Sequence, residues 1–146
     1  MTGGDKEKLS NKKEKQKNIM GMCIMNKLNY MLGIVIDDAI NVGFPVPDTL
    51  ERTIYIDKHQ YDRVAACYRY KWPEKYEIHL SEDTLKAHDN EIKNIIAHEV
   101  IHANFLTMKH NVFWDMYREL MQEQHGYNIQ VKYSWQELLN GKNTRG

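Results

Sequence analysis

Apolar residues at Ile24, Leu28, Met31, Val35 and Ala39 recur at steps of three and four, and Met25, Leu32, Ile36 and Ile40 widen the stripe. This spacing predicts a core helix that begins near Ile19. Gly43 supplies its stop, and Pro45 and Pro47 prevent continuation. The period then shortens to two. Thr53 to Asp57, Val64 to Trp72 and Tyr76 to Ser81 read as strands, the last alternating Tyr76, Ile78 and Leu80 against Glu77, His79 and Ser81. Pro73 and Glu74 mark the turn between the last two, and a small antiparallel or mixed sheet follows.

Helical spacing returns near Asp83 or Thr84 and runs through Ile92, Ile95, Ile96, Val100 and Ala103. A further helix starts after the N-cap residue Asn111, stacks Phe113, Met116, Tyr117, Leu120 and Met121 on one face, and ends at Gly126. Asn128 to Tyr133 reads as a last strand and Trp135 to Leu139 as a closing helical turn. The fold class is therefore α+β: an N-terminal helix, a sheet of three or four strands, and two consecutive helices.

At 146 residues the chain suits one domain, which can bury a core without disulfides or a structural metal. We divide it into a flexible, Lys-rich tail over 1–18, a domain over 19–140 and a polar tail over 141–146. Twenty basic and twenty acidic residues balance overall, so the whole molecule does not advertise a polyanionic partner. The first nineteen residues, however, hold six Lys against three acids. A nucleic-acid contact would fall to this tail alone, and its interspersed acids and lack of Arg argue against one. Cys23 and Cys67 have no CxxC spacing and read as reduced thiols, which points to the cytoplasm. The apolar run Ile19 to Met25 is cut by Asn26 and Lys27 with no cleavage site behind it, and no stretch reaches the length of a membrane span.

The chemistry is concentrated in His98-Glu99-Val100-Ile101-His102, an HExxH run inside a predicted helix. A shuffled chain with 7 His and 11 Glu contains such a run about twice in a hundred trials. Residues four apart share one helix face, so His98 and His102 can converge on one metal ion, with Glu99 rotated about 100° to stand beside it. Nitrogen ligands and an open position suit Zn²⁺. Glu99 is then placed as general base and later general acid in peptide hydrolysis.

A catalytic zinc calls for a third protein ligand. His110 is the leading candidate, but an unbroken helix would set it about 12 Å along the axis from His102, so the helix must end between them. Asn104 and Thr107 are the only breakers available there. Glu119 and Glu123 on the following helix are the competing ligands.

Of the other histidines, His59 and His88 read as exposed, and His125 as a cation on a helix C-terminus. His79 reads as exposed in preference to lining a groove. Tyr68-Arg69-Tyr70-Lys71-Trp72 resembles a base-stacking platform but reads more simply as a half-buried strand with its aromatics inward.

These elements resemble the SprT-like metallopeptidases, the group containing bacterial SprT and the eukaryotic protease Spartan. The matching residues are His98 to Ala103 with their hydrophobic approach, His110-Asn111-Val112-Phe113, and Gly126 to Val131. The resemblance covers about Tyr61 to Tyr133 and implies a minimal zincin-like domain. It also implies His110 as third zinc ligand, with Phe113 packed behind it. Asn111 stands where that family usually has Gly, and His110 to Trp114 is similar to the YgjP-type peptidases. DNA-directed action, as in Spartan-type enzymes, is not expected from a neutral chain in which no zinc ribbon is recognised.

The resulting expectation is a zinc-dependent endopeptidase acting on a protein or peptide substrate. Tyr76 to Ser81 would hold an extended substrate along a strand edge, and Tyr133 would steady the developing oxyanion. An ImmA-like regulatory peptidase and a nonenzymatic metal-stabilised binding module are the alternatives.

Overall fold

The computed structural model describes residues 23–58 and 63–139. Both predicted tails, the first turn expected from Ile19, and His59 lie outside the described residues.

Helix α1 (Ile24–Asn41) buries Leu28, Met31, Leu32, Val35, Ile36 and Ala39, the stripe that the spacing predicts. Each fully buried Leu or Ile contributes about 1.5–3 kcal/mol. The helix ends in a Schellman motif: Gly43 takes a positive φ of 91°, its N–H donates to Ile40, and the Phe44 N–H donates to Ala39 across 2.9 Å.

Strands β1 (Leu50–Asp57), β2 (Ala65–Lys71) and β3 (Glu74–Ser81) form one mixed sheet in the order β1-β3-β2. β1 runs parallel to β3, and β2 antiparallel. The expected substrate edge at Tyr76–Ser81 is thereby corrected, because β3 is the central strand with both edges paired. Within the described sheet, the free edge on the side of the HExxH run belongs to β2.

The register also corrects the reading of the Tyr68–Trp72 segment. Tyr68 lies opposite Glu77 and Tyr70 opposite Lys75, whereas Cys67 pairs with the buried Ile78. The two tyrosines therefore occupy the sheet face away from the core, and Trp72 at the hairpin tip is exposed. His79 shares that outer face. It is half-buried there, bridging Asp57 at 2.9 Å and Glu77 at 3.0 Å, with the Tyr55 ring stacked on it and Tyr68 edge-on.

The predicted helix from Asp83 divides into a 3-10 turn (Glu82–Lys86) and helix α2 (Asp89–His102). Ala87 and His88 are extended at the break, and Thr84 is tied to the Val64 carbonyl at 2.7 Å, which holds the turn against the sheet instead of letting it join the helix. Asp89 and Glu91 place acids in the first turn of α2, where the helix dipole favours them. Every residue from Asn94 to His102 is buried, so α2 is the central element, packed on α1 and the sheet.

Helix α3 (Val112–His125) starts at Asn111, whose side chain accepts from the Phe113 and Trp114 N–H groups, and ends at Gly126 with φ of 73°. Its buried face carries Trp114 and Met121, with Tyr117 and Leu120 packed alongside. Phe113 and Met116, expected inward, are exposed. α3 is thus turned by about one residue relative to the predicted stripe, because Trp114 fills the space beneath the histidines. His125 reaches back to α1 through Asn41 at 2.9 Å and Asp38 at 3.5 Å. His88 at the start of α2 is exposed.

The predicted strand Asn128–Tyr133 is not a strand. Tyr127 and Ile129 are buried as strand alternation would have them, but the backbone is engaged by side chains instead of a ladder. The Asn128 N–H donates to Asn94 and the Gln130 N–H to the Tyr133 hydroxyl. The short helix α4 (Trp135–Leu139) closes the described chain as expected.

Candidate metal centre

α2 ends at His102, and the next residues turn the chain sharply. Asn104 caps a 3-10 turn (Phe105–Thr107) by accepting from the Leu106 N–H at 3.0 Å. The two weak breakers of the sequence therefore suffice to end the helix. Asn111 then donates to the Leu106 carbonyl at 2.7 Å while capping α3, so the loop between the helices is tied at both ends. His110 is delivered back against α2.

The result is a cluster of three imidazoles. Nε2 of His102 lies 3.3 Å from Nε2 of His98 and 3.0 Å from Nε2 of His110, and the third separation is 3.1 Å. These residues form a group that could hold a metal ion. Glu119 and Glu123 are exposed on α3 and are not in that group.

Nδ1 of His98 is bonded to the Gln130 carbonyl at 2.7 Å, and Nδ1 of His102 to the Thr107 carbonyl at 2.8 Å. A carbonyl only accepts, so both Nδ1 atoms carry protons and the neutral rings turn bare Nε2 lone pairs toward each other. At most one proton, on His110, can lie among the three nitrogens. Lone pairs this close could share a cation, and the donor set fits one.

Burial keeps the rings neutral, as a metal ligand requires. It lowers His98 to about 3, with further lowering from His102 and His110 and an opposing effect of the Gln130 bond. Burial likewise lowers His102 to about 4, against the Thr107 bond, and lowers His110. The Trp114 ring packs against all three, with centroids 4.8, 5.4 and 4.5 Å from His98, His102 and His110. Trp114, not Phe113, is the residue packed behind His110.

Glu99 is buried, with Oε2 4.0 Å from Nε2 of His98. Burial raises its carboxyl to about 8, while Arg63 pulls the other way. His98 and Glu99 open onto a cavity of about 230 Å³ whose walls are Arg63, Val64 and Ala65 before and at the start of β2, and Val131, Lys132 and Tyr133 opposite. The Tyr133 hydroxyl accepts from the Gln130 N–H at 3.2 Å, and burial raises its pKa, so it keeps its proton. A second cavity, of about 290 Å³, opens beside His110.

A site with three converging nitrogens, a buried carboxyl beside them and two adjoining cavities is the geometry expected of a metal-dependent hydrolase. The match to a family model decides the class: the SprT-like family model covers residues 7–134. The chain belongs to the SprT-like family. Membership is consistent with a metal-dependent, peptidase-like domain. None of the curated proteins and none of the solved structures matches this SprT-like chain.

Four contributors were not named by the sequence reading as parts of the site. The Gln130 and Thr107 carbonyls leave no signal in side-chain pattern. Arg63 stands among ordinary surface charges. Trp114, three residues from Tyr117 and seven from Met121, could have been found by placing it on the apolar stripe. No helix among the described residues is long and apolar enough to cross a membrane.

Proposed function

We propose that this SprT-like domain is a zinc-dependent endopeptidase that hydrolyses peptide bonds in protein substrates in the cytoplasm. The observation that carries the reading is the approach of three Nε2 atoms to within 3.3 Å of one another beside the buried Glu99. His98, His102 and His110 would hold the ion, which when bound polarises a carbonyl and acidifies water.

The protein's own groups do the rest. Glu99 takes a proton from the water that attacks the scissile carbonyl carbon, and returns it to the amine nitrogen as the C–N bond breaks. Its raised pKa, about 8 before a cation is bound, favours a group that both accepts and releases a proton near neutrality. The Tyr133 phenol, whose oxygen accepts from Gln130, has its proton free to donate to the oxygen of the carbonyl under attack. An extended substrate would pair with the free edge of β2, whose first residue, Ala65, lines the Glu99 cavity.

The test is hydrolysis of an unfolded protein by the purified chain, with bound metal measured in the same sample. Cleavage that is lost on chelation and restored by zinc supports the reading. A protein that carries one zinc per chain and leaves unfolded proteins and peptides intact rules it out and favours a metal-stabilised binding module.

A further inference from the structure

The cavity beside His110 has no part in the proton transfers above, and its chemistry is distinct from that of the Glu99 cavity. It is lined by His110, Asn111, Val112, Trp114, Asp115 and Val131. Val112, at the start of α3, is 74% exposed and Val131 47% exposed, so two valines are left open to solvent. On the same helix, Phe113 and Met116 are also exposed. Two exposed valines facing one cavity give it an apolar wall suited to binding.

Several polar groups of the lining are already engaged. The Asn111 carbonyl oxygen accepts from two α3 N–H groups, and its amide donates to Leu106. The indole N–H of Trp114 is directed to the His98 carbonyl at 3.4 Å. Asp115 accepts two bonds from Arg118 on Oδ1, at 2.8 and 2.6 Å, while the carboxylate remains the negative group of the lining. Nε2 of His110 faces the other two histidines. A carboxylate entering here would lose water and face Asp115, whereas an aliphatic side chain would cover the two exposed valines.

Val131 lines both cavities. A chain whose scissile carbonyl lies at the histidine cluster therefore has Glu99 on one flank and this cavity on the other. We propose that the His110 cavity is the subsite that selects an aliphatic side chain on the residue flanking the scissile bond. This inference rests on the peptidase reading above.

The test uses the full-length, zinc-loaded protein and internally quenched peptides that differ only in Leu, Lys or Asp at each position flanking the cleaved bond. Leu is expected to exceed Asp in kcat/KM by about 10- to 100-fold at one flanking position. Val112→Asp is expected to remove most of that preference while zinc content stays at the wild-type level. An acid in the first turn of α3 suits the helix dipole. Val131→Asp, on the other element, should shift the preference in the same direction, which separates a subsite effect from a local fault in α3. Equal hydrolysis of the Leu and Asp peptides by the wild-type protein, or an unchanged preference in both variants, overturns the subsite. Absence of zinc-dependent cleavage of every peptide overturns the peptidase reading itself, and the subsite with it.

Discussion

The Gln130 carbonyl accepts a hydrogen bond from Nδ1 of His98 across 2.7 Å, and thereby fixes which nitrogen of that ring faces the metal position. The N–H of the same residue donates to the Tyr133 hydroxyl. One residue of an irregular segment thus orients a candidate ligand and the phenol that lines the same cavity.

That segment is anchored from α2 through Asn94, whose side chain is buried and accepts from the Asn128 N–H at 3.0 Å. Asn94→Ala removes this bond from a part-buried position, at a cost of about 0.5–1.5 kcal/mol. Urea unfolding should show the loss. Competition with a zinc chelator should show weaker binding, by about 10-fold or more, as the Gln130 carbonyl loosens. Unchanged zinc affinity in Asn94→Ala would show that the segment does not orient His98.

Tyr133→Phe removes the phenol proton and preserves the ring that lies 5.6 Å from that of His98. We expect kcat to fall about 100-fold, with zinc content and KM nearly unchanged. A fall in KM-controlled binding alone, with kcat intact, would assign the residue to substrate contact only.

Stability of the metal-free protein should pass through a maximum near pH 6.5. His98 at about 3 and His102 at about 4 lie below the 6.5 of the unfolded chain, so the unfolded state binds the extra protons and stability rises with pH up to that value. Glu99 has the opposite sign: at about 8 it retains a proton that the unfolded chain, at 4.5, has released, so stability falls as pH rises between these values. The lowered imidazoles, His110 among them, outweigh one carboxyl below about pH 6.5, and Glu99 outweighs them as pH rises further toward 8. Thermal melting in chelator from pH 5 to 8 checks this. A melting temperature that climbs steadily to pH 8 contradicts the burial of Glu99.

Much of this was legible in the sequence where periodicity and short-range chemistry agree. The α1 stripe, its Gly43 stop, the HExxH spacing and the capping residue Asn111 all act within a few residues, and each appears in the structure where the pattern puts it. What was not legible depends on partners far along the chain. Tyr76–Ser81 alternates like any edge strand, and nothing local reveals that β1 and β2 close on both its sides. Asn128–Tyr133 has strand alternation, but Asn94 and His98 from α2 take the backbone groups that a ladder would use. The placement of Phe113 failed because the bulk of Trp114, one position on, claims the space under three imidazoles.

The most direct measurement of the central claim is made on Glu99→Gln beside the wild-type protein, with zinc content and hydrolysis of an unfolded protein recorded on the same preparations. Gln fits the same space without a titrating carboxyl, and the three histidines are untouched. The account predicts one zinc per chain in both proteins and a loss of hydrolysis of at least 100-fold in the variant, on the scale of a lost general base. A Glu99→Gln protein that holds zinc and cleaves at the wild-type rate would contradict it.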